Sequence, residues 1–194
     1  HSYHYEKNTF CIIISFHLAA ISNKFKALNL YYLCNIQLVS DKKNLKGGCP
    51  CGKVKYTITE DPLFTQACHC KNCKISTGSS YVVHTSVLEK SLIVEGEISS
   101  TELPTGSGKG YRAYFCTTCG VYIYCKYNFG KGRLTVRTKT LENPNIFPPQ
   151  AHIFTKDKDP WINLSEDAKC FEEMYDPKST WPEKSLKRYS DYLK

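Results

Sequence analysis

Apolar and polar residues alternate through most of the chain after residue 53. Val54, Tyr56 and Ile58 are interleaved with Lys53, Lys55 and Thr57, and a period of two predicts a strand with one buried face. Tyr81–Val87 and Leu92–Val94 read as further strands, and Thr105–Gly110 as a Gly/Ser-rich turn. Tyr111–Phe115 and Val121–Tyr127 predict two strands joined by a tight turn at 116–119. Gly120 follows directly and can supply the positive φ that such a turn needs. Asn128–Gly132 turns the chain into Arg133–Arg137, another alternating strand. The period changes between Cys70 and Gly78, where a short helix stopped by glycine is expected. Beyond Pro144, prolines at 144, 148, 149 and 160 predict loop, and Leu186, Tyr189 and Leu193 fall on one face of a helix over Glu183–Lys194. The expectation is a mainly β, mostly antiparallel domain with minor short helices.

The composition shifts at Asp41–Lys46, which sets the expected boundaries: an extension at 1–45, a domain at 46–175 and a helical tail at 176–194. Phe10–Ile21 has the look of a signal-peptide apolar region, but it is short and interrupted by His17, so no membrane span is expected. It reads either as a segment foreign to the domain or as a targeting segment. The formal net charge is +8. Residues 1–46 hold six Lys/Arg against two Asp/Glu, which leaves 20 against 16 in the rest. No basic run interleaved with aromatics stands out there, so a nucleic-acid partner is not expected.

Cysteine changes this picture most. Seven of the eleven cysteines fall in three tight motifs: Cys49-x-Cys51, Cys68-x-Cys70-x-x-Cys73 and Cys116-x-x-Cys119. Thiolates this close can close on one soft cation, and zinc accepts four sulfurs in a tetrahedron. A disulfide framework fits poorly, because neighbours one or two residues apart rarely bridge and an odd count leaves a thiol over. Zinc thiolates also argue for a reducing, cytoplasmic setting over an oxidising one. Four ligands close one site and three leave another open, which suggests one zinc for folding and one for chemistry. Cys11, Cys34, Cys125 and Cys170 are scattered singly. Cys125 is expected on a strand face with Val121 and Ile123, as a small buried hydrophobe.

The assembled motifs resemble the glutathione-dependent formaldehyde-activating family, also called the GFA or CENP-V domain. The resemblance rests on Gly47-Gly-Cys49-Pro-Cys51-Gly-Lys-Val-Lys-Tyr56, on Cys68-His-Cys70-Lys-Asn-Cys73-Lys with Thr77-Gly78-Ser79, and on Tyr114-Phe-Cys116-Thr-Thr-Cys119-Gly120. His152-Ile153-Phe154 and Trp161 are similar to its C-terminal part. It implies an Mss4-like fold, a β-tent built around zinc. It also implies a division of ligands, with Cys49, Cys51, Cys116 and Cys119 on a structural zinc and Cys68, Cys70 and Cys73 on a second, open zinc, two per chain. The implied activity is a carbon–sulfur lyase reaction joining formaldehyde to glutathione, giving S-hydroxymethylglutathione, with glutathione or another small thiol as partner. An open zinc can hold the glutathione sulfur as thiolate or polarise the aldehyde; three thiolates weaken Lewis acidity and favour sulfur capture.

Helper residues are expected at Gly78 and Ser79, as donors at the site mouth, and at Arg112, against a glutathione carboxylate. His69, between two ligands, is read as structural. His84 is read as facing solvent or site equally. Two rivals stand beside the enzyme. One is a non-catalytic interaction module whose second zinc is closed by a residue such as Cys125 or His84. The other is a zinc-ribbon nucleic-acid binder, marked by strong salt dependence. The oligomeric state is left open.

Overall fold

The computed structural model describes residues 44–105 and 109–194. The expectations for residues 1–43, including the apolar run at 10–21, lie outside the described residues, as do positions 106–108 of the expected 105–110 turn.

The alternating stretches pair into two sheets. The smaller holds β1 (Leu45–Gly48), β2 (Lys55–Ile58) and β5 (Leu92–Glu95) in the order β1-β2-β5, antiparallel throughout. The larger has eight strands. They are β3 (Phe64–Cys68), β4 (Val82–Leu88), β6 (Ile98–Leu103), β7 (Tyr111–Cys116), β8 (Tyr122–Tyr127), β9 (Arg133–Arg137), β10 (Ala151–Ile153) and β11 (Cys170–Phe171). Their order is β11-β10-β3-β4-β9-β8-β7-β6. Short helices complete the fold: α1 (Lys71–Thr77), α2 (Pro177–Thr180) and α3 (Glu183–Leu193). The protein is therefore mainly β with minor helices, as expected. Among the described residues no helix is long and apolar enough to cross a membrane.

Two of the pairings, β3–β10 and β10–β11, are parallel. β10 and β11 lie in the proline-rich stretch read as loop, where strands of three and two residues are too short to show a period.

The main core lies between the sheets. Val54, Tyr56 and Ile58 of the small sheet's side meet Val87, Ile123, Leu134 and Val136 of the large one. Gly47 permits the close approach of β1, because a Cβ there would sit 2.3 Å from the Tyr56 ring. A second core forms where Phe64 stacks on Trp181 and meets Tyr175 edge-on, which docks the C-terminal helices beside β3.

In β8 the register shifts between Tyr114 and Phe115 of its partner, which pair with Tyr124 and Tyr122. The extra residue, Ile123, is a bulge, and a one-residue slip exchanges the faces beyond it. Ile123 accordingly packs between the sheets, while Cys125 joins Tyr111, Ala113 and Tyr122 in a separate cluster. Cys125 is a small buried hydrophobe, as expected, but it does not share a face with Ile123.

Candidate functional site

Two tight turns present the first group of thiols. Cys49 follows β1, and the backbone closes behind it through Gly52 N–H to Cys49 C=O at 3.0 Å. Cys116 ends β7, and Gly120 N–H donates to its C=O at 2.9 Å. Gly120 takes φ +69°, a left-handed conformation costly for a residue with a Cβ. Cys49, Cys51, Cys116 and Cys119 place their Sγ atoms within 4.8 Å of one another, with Cys49–Cys51 at 3.3 Å and Cys51–Cys116 at 3.7 Å. A zinc tetrahedron of four sulfurs at about 2.3 Å has edges of about 3.8 Å, so the group fits the ion. The charges agree. Burial raises the Cys49 thiol, but the Val54 N–H and the neighbouring thiols outweigh it and bring it to about 6. The Lys53 backbone lowers Cys51, but Cys49, Cys119 and Cys116 push it up to about 12. Once one thiol ionises its neighbours resist, unless a cation joins them. This group ties the β1–β2 turn of one sheet to the β7–β8 turn of the other.

The second group lies on the other face of the large sheet. Cys68 ends β3, Cys70 is the N-cap of α1 and Cys73 sits in its first turn. Cys73 N–H points at Cys70 Sγ at 3.4 Å. Gly78, at φ 65°, stops the helix by donating to Lys74 C=O. Cys70 is held below the ordinary thiol range by Cys68 and Cys73 and by backbone N–H groups, and Cys68 is pushed up by Cys70, Cys73 and burial. Cys70 is not among the ligand atoms that all lie close to one another here, whereas His84, named above as a possible closing ligand, is. Cys68, Cys73 and His84 offer ligand atoms within 4.8 Å of one another, and His84 Nε2 is 3.5 Å from Cys73 Sγ. The two groups could thus each hold a metal ion.

A cavity of about 110 Å³ opens onto the second group. Its floor is a polar row across three strands, in which Gln66, His84 and Arg137 are register partners. Arg137 is 5% exposed. Its guanidinium lies over the Tyr122 ring at 3.7 Å, and it contacts His84 Nε2 at 3.5 Å and donates to Ser76 Oγ at 3.3 Å. Among the described residues its Nε and His84 Nδ1 have no hydrogen-bond partner. Among the described residues lining the cavity there is no carboxylate. A buried guanidinium without a carboxylate leaves positive potential available to an anion in the cavity. Tyr111, Tyr122, Tyr127 and Phe129 form an apolar wall.

The sequence candidates are distributed unevenly. Cys68, Cys70 and Cys73 border the cavity; Gly78, Ser79 and Arg112 do not. Arg112 sits on the exposed face of β7, paired with Glu102 at 2.8 Å. His69 is fully buried and turned from the cavity. Its Nε2 faces His152 Nδ1 at 3.1 Å, and burial, then the His152 charge, lowers it to about 4. Sequence reasoning missed Arg137. Arg133-Leu-Thr-Val-Arg137 reads as a strand with a wet polar face, and only the pairing with buried β4 shows that this face is covered.

A family model described as glutathione-dependent formaldehyde-activating enzyme matches residues 44–157. No curated protein matches the chain. Among solved structures, a Rhodobacter sphaeroides protein determined as a structural-genomics target is 19% identical, with 65% of this chain and 98% of that chain covered and a TM-score of 0.41.

Proposed function

The chain belongs to the glutathione-dependent formaldehyde-activating family, and on that premise we propose that it is a carbon–sulfur lyase acting on adducts of glutathione or another small thiol, the formaldehyde adduct first among them. The observation that carries the reading is the asymmetry of the two thiol groups. The first ties together two turns, whereas the second borders a cavity whose described lining holds a buried guanidinium and no carboxylate.

Cys49, Cys51, Cys116 and Cys119 would hold a structural zinc, and Cys68, Cys70 and Cys73 a second one. Zinc bound at the second group supplies a soft positive centre that favours a thiol as its thiolate at neutral pH. The chain's own residues supply the rest. Arg137 offers positive potential to an anion in the cavity, first the substrate sulfur and then the oxygen that gains charge during addition. The aromatic wall limits water, which strengthens that interaction. In the forward direction the thiolate sulfur bonds to the aldehyde carbon, the C=O π pair moves to oxygen, and that oxygen takes a proton from water. The lyase direction is the reverse. Ordinary ligand pockets measure about 300–1,000 Å³. The 110 Å³ here suits the thiol arm and a one-carbon aldehyde, with the remainder of a tripeptide outside.

The test is the formaldehyde–glutathione exchange rate, read by NMR with zinc-loaded protein. Wild type is expected above the uncatalysed background and Cys70→Ser at background. Background rates for both proteins would remove formaldehyde as the substrate.

A further inference from the structure

His84 lies at the meeting point of two chemistries. Its Nε2 is 3.5 Å from Cys73 Sγ and 3.5 Å from Arg137 Nη1. A guanidinium only donates, so the imidazole nitrogen that meets it carries a lone pair. The hydrogen of the neutral ring then sits on Nδ1. Cys73 Sγ lies as close to the same nitrogen as Arg137 does, so this one electron pair is shared between guanidinium and thiol group and is within reach of a metal held there.

The distance also fits. With zinc–sulfur at about 2.3 Å and zinc–nitrogen at about 2.0–2.1 Å, a tetrahedron has sulfur–nitrogen edges of about 3.6 Å. The Cys73–His84 contact has that length. Cys68 lies within 4.8 Å of both, whereas Cys70, the N-cap of α1, is outside that mutually close set and would have to turn in to complete the four. His84 is also fixed by its strand, between Gln66 of β3 and Arg137 of β9.

We propose that His84 Nε2 is the resting fourth ligand of the second centre and that a substrate thiolate takes its place, the freed lone pair then accepting from Arg137 N–H. This rests on the thiol-capture reading above and deepens it. His84 would thereby keep water and aldehyde off a metal held there until a thiol arrives. With a metal held there, His84 would yield one nitrogen ligand position to one sulfur, the thiol having lost its proton to water beforehand. Displacement is cheap for this ligand, because His84 has a second partner for the same lone pair at 3.5 Å. The cysteine thiolates would each leave a buried charge behind, which costs far more.

The experiment is cadmium-113 NMR on the full chain, loaded with cadmium and carrying nitrogen-15 histidine. Two cadmium lines are expected, one unsplit from the four-cysteine group and one split into a doublet by a single nitrogen. His84→Gln should collapse the doublet, and excess glutathione should collapse it in wild type while shifting the line toward that of the four-sulfur group. The absence of a doublet in wild type overturns the assignment of His84, and it needs no variant that might fail to fold. A glutathione-induced shift without any starting doublet would leave thiol capture standing and His84 excluded. A doublet that glutathione neither shifts nor collapses would overturn displacement, and thiol capture with it, while keeping His84 as a closing ligand.

Discussion

Replacing Arg137 with methionine removes a positive charge from the cavity wall while keeping much of the side-chain volume. Arg137 Nη1 and Cys73 Sγ each lie 3.5 Å from His84 Nε2, so guanidinium and thiol group are separated by at most about 7 Å. Unit charges about 7 Å apart in an effective dielectric of about 20 interact by about 2.4 kcal/mol. On an ionising group that is a shift of about 1.7 pH units. A nearby positive charge favours the thiolate and lowers the thiol pKa, so its loss raises that pKa. If rate follows the thiolate fraction, the acid limb of the pH–rate profile moves up by about 1.7 units in Arg137→Met. Arg137→Lys keeps the charge and should stay within about half a unit of wild type, although it loses the planar stacking on Tyr122. The assay is the NMR exchange rate from pH 5 to 9, with thermal unfolding as the check on folding. Folded Arg137→Met protein with its acid limb at the wild-type pH would refute the assignment of Arg137 as the pocket's counter-charge.

Three further outcomes follow from the fold. A strong chelator at neutral pH should abolish the single cooperative unfolding transition or lower its midpoint markedly, because binding to the four-cysteine group is also folding energy; calorimetry with an unchanged midpoint after verified zinc removal would contradict this. Gly47→Ala puts a Cβ 2.3 Å from the Tyr56 ring and 2.6 Å from Thr140 C=O, and should cost about 1–3 kcal/mol or more in denaturant titration. Trp181→Ala removes the ring stacked on Phe64 at 5.7 Å and the Nε1–H donated to Tyr175 OH at 3.0 Å. It should cost about 3–5 kcal/mol and leave only the red-shifted fluorescence of Trp161, which is 71% exposed.

The parts of this protein that were legible in the sequence are those governed by neighbours along the chain. The alternation at 53–58 and the Cys70–Gly78 helix are local, and each stands where its pattern puts it. The thiol motifs are local too, but which motifs share a site depends on the sheets that bring β1 beside the β7–β8 turn, and that pairing entered through the family resemblance. Arg137 was hidden, and the facing of His84 left open, for one physical reason: alternation tells which residues of a strand share a face, not whether another element covers the polar one. Here α1 and the aromatic wall cover the face of Arg137, Thr135 and Ser86. The Ile123 bulge is a second case, since one inserted residue reverses the faces beyond it and period two carries no mark of that. Strand β6, Ile-Ser-Ser-Thr-Glu-Leu at the sheet edge, was missed because its solvated polar residues show no clear alternation.

The central claim is that the two thiol groups do different work, and one pair of variants tests it directly. Zinc content, unfolding midpoint and formaldehyde–glutathione exchange should be measured together for Cys73→Ser and Cys119→Ser. The account predicts that Cys73→Ser remains folded with about one zinc fewer and exchange at background, whereas Cys119→Ser loses cooperative unfolding. Full exchange activity in folded Cys73→Ser protein would contradict it.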